Sequence, residues 1–129
     1  MGNPEAEKKY DTQYLNLKEL EISKVRSEVK DLLVDGESIE CAFHTVRDQV
    51  LFTNKRIIII NVTGIVGKRI IYLSYPYSRI QYFGIETAGV FDIDSEMVFA
   101  FTNGSMLQFD FKARVDIRAI SKLVSKYVM

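Results

Sequence analysis

The sequence predicts a mainly β domain, a small curved sandwich or partly open barrel of seven antiparallel strands with one end plugged by a C-terminal helix. Three observations carry that expectation. From Ser38 to Lys112 apolar residues recur in short runs with a period of two, cut by Gly, Pro, Asn and Asp. From about Val115 the period lengthens to that of a helix. The strands are joined mainly by loops too short for the crossover a parallel sheet requires, which excludes a doubly wound α/β fold.

The elements follow in order. Residues 1–13 are polar, with Pro4 and a charged run, and are expected to be a flexible N-terminus. Residues 14–35 predict an N-terminal helical segment, marked by Leu17, Leu20, Val25, Val29, Leu32 and Leu33. Imperfect spacing at Ile22-Ser23 makes it one bent helix or two short ones; Ser23 suits an N-cap, and Gly36 supplies the stop. Residues 36–129 form the β domain. Its first strand is Ser38 to Val46, with Ile39, Cys41 and Phe43 on one face. A turn at Asp48-Gln49 leads to Val50–Phe52, and Thr53-Asn54-Lys55 leads to Arg56–Val62. A loop bracketed by Gly64 and Gly67 precedes Arg69–Ser74, which Tyr75-Pro76-Tyr77 ends because proline cannot donate to a ladder. Gly84 inside the strand Ser78–Glu86 predicts a bulge or sharp bend. Glu96–Phe101 and Met106–Lys112 flank Asn103-Gly104, the signature of a type I′ hairpin. In the closing helix Ile117, Ile120, Leu123, Val124 and Tyr127 form one stripe, each burial contributing roughly 1.5–3 kcal/mol.

One strand departs from simple alternation. Ile57, Ile58, Ile59 and Ile60 follow one another, so both faces of that strand avoid water. Ile70, Ile71, Tyr72 and Leu73 repeat the pattern on the next strand. These eight residues are candidates for an oligomer interface, because neighbouring strands with excess apolar surface make a patch of the kind that marks one. The alternative is that residues 14–34 cover them.

Composition narrows the function classes. The chain of 129 residues is a single domain by length, and 47% hydrophobic with 26% charged residues is ordinary for a globular protein. Lys and Arg total 17, as do Asp and Glu, so the basic excess of a nucleic-acid binder is missing and no nucleic-acid partner is expected. A lone cysteine, Cys41, excludes an internal disulfide and suits a cytoplasmic location, as does the lack of a signal peptide or an apolar span near 18 residues. The start Met1-Gly2-Asn3-Pro4-Glu5-Ala6 is no myristoylation site, since Ala6 stands where Ser or Thr belongs.

An ordered set of short motifs adds a family. Leu32-Leu33, Gly36-Glu37, Arg47-Asp48, Phe52-Thr53-Asn54-Lys55-Arg56, Gly64 with Gly67-Lys68, Pro76-Tyr77-Ser78-Arg79-Ile80, Glu86-Thr87, and Gly89 with Phe91-Asp92 occur in that sequence. Over about residues 25–128 the chain resembles the bacterial pleckstrin-homology-like domain proteins. The resemblance implies a pleckstrin-homology-like barrel of two nearly orthogonal sheets, of four and three strands, capped by the C-terminal helix. It also implies a homo-oligomer, possibly a ring, as the partner.

No catalytic constellation stands out, and an enzyme is not expected. His44 is the single histidine, and no serine or cysteine has an evident paired base. One His and one Cys cannot build a zinc site, and no cofactor is implied. Glu86, Asp92, Asp94 and Glu96 have the oxygens for a hard cation but not the spacing of a calcium loop, so a solvated turn is favoured, and a metal-dependent enzyme using this loop is the weakest reading. In Gly64-Ile-Val-Gly-Lys68 only two residues separate the glycines and Arg69 follows, which is not a phosphate loop. Lys55, Lys68, Arg69 and Arg79 remain as candidates for an anion or lipid-headgroup patch, with membrane contact left open. The expectation is a noncatalytic binding or scaffolding module that assembles with itself.

Overall fold

The protein is described from a computed structural model over residues 12–65, 69–87 and 93–129. The stretch expected to be flexible, 1–13, lies outside the described residues except for Thr12 and Gln13.

Eight strands, not seven, make one sheet. They are β1 (Gln13–Leu20), β2 (Ile39–His44), β3 (Gln49–Thr53), β4 (Arg56–Thr63), β5 (Arg69–Pro76), β6 (Ile80–Glu86), β7 (Ser95–Phe101) and β8 (Met106–Phe111). Helix α1 (Ile117–Val128) follows. The order across the sheet is β5-β4-β3-β2-β1-β8-β7-β6; it does not close, and β5 and β6 are its free edges. Every pairing is antiparallel except β1 with β8, which is parallel.

The extra strand occupies part of the expected N-terminal helix. Residues 14–35 contain no α-helix: β1 is followed by 3-10 turns at Ile22–Lys24 and Ser27–Asp31. The first half of β1 pairs with β8 through Gln13, Tyr14 and Leu17, and the second half pairs with β2 through Lys18, Glu19 and Leu20. Between the halves Asn16 sits at φ 60°, and the register shifts. Asparagine is among the few side chains that tolerate the left-handed region. This irregularity separates the buried residues Tyr14 and Leu17 by three positions instead of two, which imitates helical spacing.

Two apolar cores lie on opposite faces of β3 and β4. The larger holds Ile57, Ile59, Phe52, Phe99, Phe109 and Phe111 under helix α1; the smaller holds Ile58, Ile60, Leu51, Ala42 and Val29. Val25 and Leu33 pack at the margin of the smaller one, so the doubly apolar strand is covered by residues of its own chain, in 3-10 turns and loop. The Glu37 carboxylate fastens this cover to the sheet. It accepts a bidentate pair from Arg56, at 2.9 Å each, and a third bond from the Thr53 hydroxyl at 2.7 Å. Arg56 also donates to Leu32 O and Ser74 Oγ.

Helix α1 is capped by Asp116, whose carboxylate accepts from the Ala119 N–H, and it packs on β6, β7 and the turn Tyr77–Arg79. Tyr77 and Tyr127 stack at 5.7 Å. Two local expectations change. The β7–β8 turn has positive φ only at Gly104, with the Gly104 N–H on Phe101 O, so it is not the type I′ form. The irregularity in β6 falls between Ile80 and Tyr82, while Gly84 stays in register opposite Val98.

Candidate functional site

The sheet edges are the first candidate feature. β5 is eight residues long, and Ile70, Ile71, Tyr72 and Leu73 are half-buried along it. The other edge, β6, exposes Tyr82 by 56% and Ile85 by 36%. Ile57, Ile58, Ile59 and Ile60 are each 0% exposed within the single chain, so their side chains form no open surface. Of the eight interface candidates, those on β4 back the edge strand and those on β5 lie on it.

The basic candidates separate into two places. Lys55 and Arg79 flank Tyr77, whose N–H bonds to the Lys55 carbonyl and whose hydroxyl donates to Thr53 O at 2.7 Å. Arg79 borders a cleft of about 410 Å³ with Ser74, Tyr75, Phe101, Thr102 and Ser105. Arg69 lies at the other end of β5, opposite Thr63, whereas Pro76 is opposite Arg56. Seven residues of strand place them roughly 23 Å apart, too far for one headgroup. Lys68 lies outside the described residues.

The acidic residues gather more closely. Glu86, Asp94 and Glu96 border a cavity of about 730 Å³ together with Asp110, which sequence reasoning missed. Its signal was the hairpin register, since Glu96 faces Asp110 across β7 and β8 and Glu86 across β6 and β7. Burial raises the Glu96 pKa above the usual carboxylate range, and the charges of Asp110 and Glu86 raise it further. Asp92 lies outside the described residues. Among the described residues no group of three or more His, Cys, Asp or Glu is placed to hold a metal ion.

The remaining titratable groups have structural settings. Burial pushes the Cys41 thiol up to about 12, so it is a poor nucleophile. His44 Nδ1 lies 3.2 Å from Thr45 O beside the β2–β3 turn. At Glu37 burial opposes ionisation, but the hydrogen bonds from Arg56, Thr53 and the Val34 N–H, with the Arg56 charge, hold the pKa below its usual value.

The eight-stranded order with its terminal helix has close counterparts. The family model for the bacterial PH domain matches residues 10–128. The chain belongs to the bacterial PH domain family. It is 44% identical over 82 residues to the uncharacterized protein YjqA of Bacillus subtilis (strain 168), a match covering 64% of this chain and 66% of that relative. It is 32% identical over 97 residues to the uncharacterized protein YozO of the same organism, covering 75% and 83%. Among solved structures, a DUF1696 family protein with a pleckstrin-homology domain from Shewanella loihica PV-4 superposes with a TM-score of 0.77 at 32% identity, over 89% of this chain and 99% of the other. A pleckstrin homology domain from Shewanella amazonensis SB2B gives a TM-score of 0.65 at 34% identity, over 85% and 90%. The bacterial PH domain match begins before β1 and so includes that strand.

Proposed function

We propose that this bacterial PH domain is a noncatalytic binding and scaffolding module that assembles with itself into a ring, in the cytoplasm. The supporting observation is the open sheet, which ends in two unlike free edges, β5 and β6. An edge strand presents unpaired N–H and C=O groups to another chain. Pairing β5 of one copy with β6 of the next is a heterologous contact, and repetition of such a contact closes a ring when the rotation permits. Antiparallel addition would bring Arg69, at the start of β5, toward Glu86, at the end of β6. The cytoplasmic reading is supported by the lone Cys41, and among the described residues no helix is long and apolar enough to cross a membrane.

Light scattering after size exclusion tests the assembly. Masses at a fixed multiple of 14.8 kDa are expected. A mass that stays at 14.8 kDa over a wide concentration range removes the ring. A second reading, an anion or lipid-headgroup binder, is favoured by the cleft bordered by Arg79. Arg79→Glu then abolishes sedimentation with anionic vesicles, and unchanged sedimentation removes that reading.

A further inference from the structure

A groove of about 280 Å³ runs between helix α1 and strand β2. Phe43 and Ile120 are buried at its floor, and Cys41, Val115 and Leu123 flank them half-buried. Ala119, on the helix wall, is exposed. Small-molecule sites run from roughly 300 to 1,000 Å³, so this groove suits one or two apolar side chains better than a whole ligand.

An irregularity in β2 shapes the strand wall. Ile39 and Cys41 are two residues apart, a spacing that puts side chains on one face of a regular strand. The register shifts between them, and Ile39 packs against the smaller core while Cys41 packs against the larger. Such a shift re-aims a side chain. Glu40, between the two, reaches helix α1, where its carboxylate accepts from the Tyr127 hydroxyl. Glu19, opposite Phe43 across β1 and β2, brings a second carboxylate to the groove. Asp116 also lines it but is engaged as the helix cap.

Charge selects the occupant. Among the described residues no lysine or arginine lines the groove, and neither Glu19 nor Glu40 is in a salt bridge. Lys18, Lys112 and Arg114 line a separate, smaller cavity that shares only Glu19 and Val115 with it, and Lys112 is held there by Asp94. Burial, and then the charges of Glu40 and Glu19, push the Cys41 thiol up, so the negative potential reaches the groove floor. An apolar floor beneath an unneutralised acidic rim complements an apolar side chain flanked by cations, and it repels acidic segments. We propose that the groove between α1 and β2 docks a short basic segment of a partner protein, with a large apolar side chain on Phe43 and Ile120 and a Lys or Arg beside it on Glu19 and Glu40. The site rests on the reading of the chain as a binding module and not on the ring, because no residue of β5 or β6 lines it.

Selection of short random peptides displayed on phage against the full chain tests it. Enriched sequences should carry Leu, Met or Phe next to Lys or Arg, and a fluorescent peptide of the enriched sequence should saturate the protein in an anisotropy titration. Ala119→Arg puts bulk and positive charge into the groove from an exposed position and should weaken that binding by about tenfold or more. Glu19→Gln and Glu40→Gln should each weaken it by about threefold to fivefold, as exposed ion pairs allow. Asp35→Asn, at an exposed acid outside the groove, leaves it unchanged. Glu19→Gln, which takes away no bond in the folded chain, keeps the wild-type unfolding temperature, so its weaker binding is not unfolding. No enrichment, enriched peptides without Lys or Arg, or affinity undiminished in both Ala119→Arg and Glu19→Gln overturns the proposal. A mass in light scattering that falls on Ala119→Arg, with no peptide enriched, also overturns it and gives the groove to a second copy of the chain.

Discussion

Ile58→Ala measures whether the second apolar face of β4 is closed by its own chain. Ile58 is 0% exposed and sits in the smaller core with Leu51, Ile60 and Val29; Ile59, its neighbour, is equally enclosed in the larger core. Truncation removes three buried carbon groups, worth about 0.8 kcal/mol each, and leaves a cavity. Together these give a loss of about 2–5 kcal/mol for either isoleucine. With a urea slope of about 1–3 kcal/mol/M, a loss near 3 kcal/mol lowers the midpoint by roughly 1–3 M. Circular dichroism during urea unfolding, repeated over a wide range of protein concentration, reads this. Ile58→Ala and Ile59→Ala should cost similar amounts, independent of concentration. If Ile58→Ala costs less than about 1 kcal/mol in the dilute protein while Ile59→Ala shows its full loss, the face is not closed within the chain.

Glu37→Gln should destabilise the protein by about 2–4 kcal/mol, somewhat less than a fully buried ion pair, because the Arg56 side chain is 20% exposed. The Glu37 pKa is lowered by folding from 4.5, so its contribution is present above that value and fades as pH falls through the folded pKa. The stability gap between wild type and Glu37→Gln should therefore narrow on acidification below about pH 4.5; a gap constant down to strong acid would contradict the assignment. At Asn16, whose φ is 60°, replacement by Val should cost about 1–2 kcal/mol, whereas Gly should be nearly neutral, both read by urea unfolding. Equal losses for the two would mean that backbone conformation is not what selects asparagine there.

The strands from β2 onward were legible because their signals are local. Alternation, Gly64, Pro76 and Asn103-Gly104 mark them to within a few residues. β1 was not legible, since its pattern is set by partners far along the chain: β2 on one side and β8 on the other, with a bend at Asn16 between them. Helical periodicity and an interrupted strand give the same three-residue spacing of Tyr14 and Leu17, and only the long-range pairing decides between them. The acidic site divides similarly. Glu86, Asp94 and Glu96 are near in sequence, but Asp110 joins them only through strand register. The basic group suffered the reverse, because proximity in sequence between Lys68, Arg69 and Arg79 hides the length of β5 that separates Arg69 from Arg79.

The run of isoleucines that suggested assembly is satisfied inside the chain, and the case for assembly moves outward by one strand. The cover over the smaller core buries Ile58 and Ile60 completely but leaves Ile70 and Tyr72 on β5 only partly enclosed. Soluble proteins commonly protect such edges with charge or proline. Here Arg69 and Pro76 occupy the two ends of β5, while the four residues Ile70 to Leu73 in its middle carry neither. The opposite edge is charged at Glu86 and presents Tyr82 and Ile85. Two edges with unprotected middles and opposite charges at matching antiparallel ends suit each other better than either suits itself. In the proposed assembly that asymmetry would favour head-to-tail growth over a two-fold dimer.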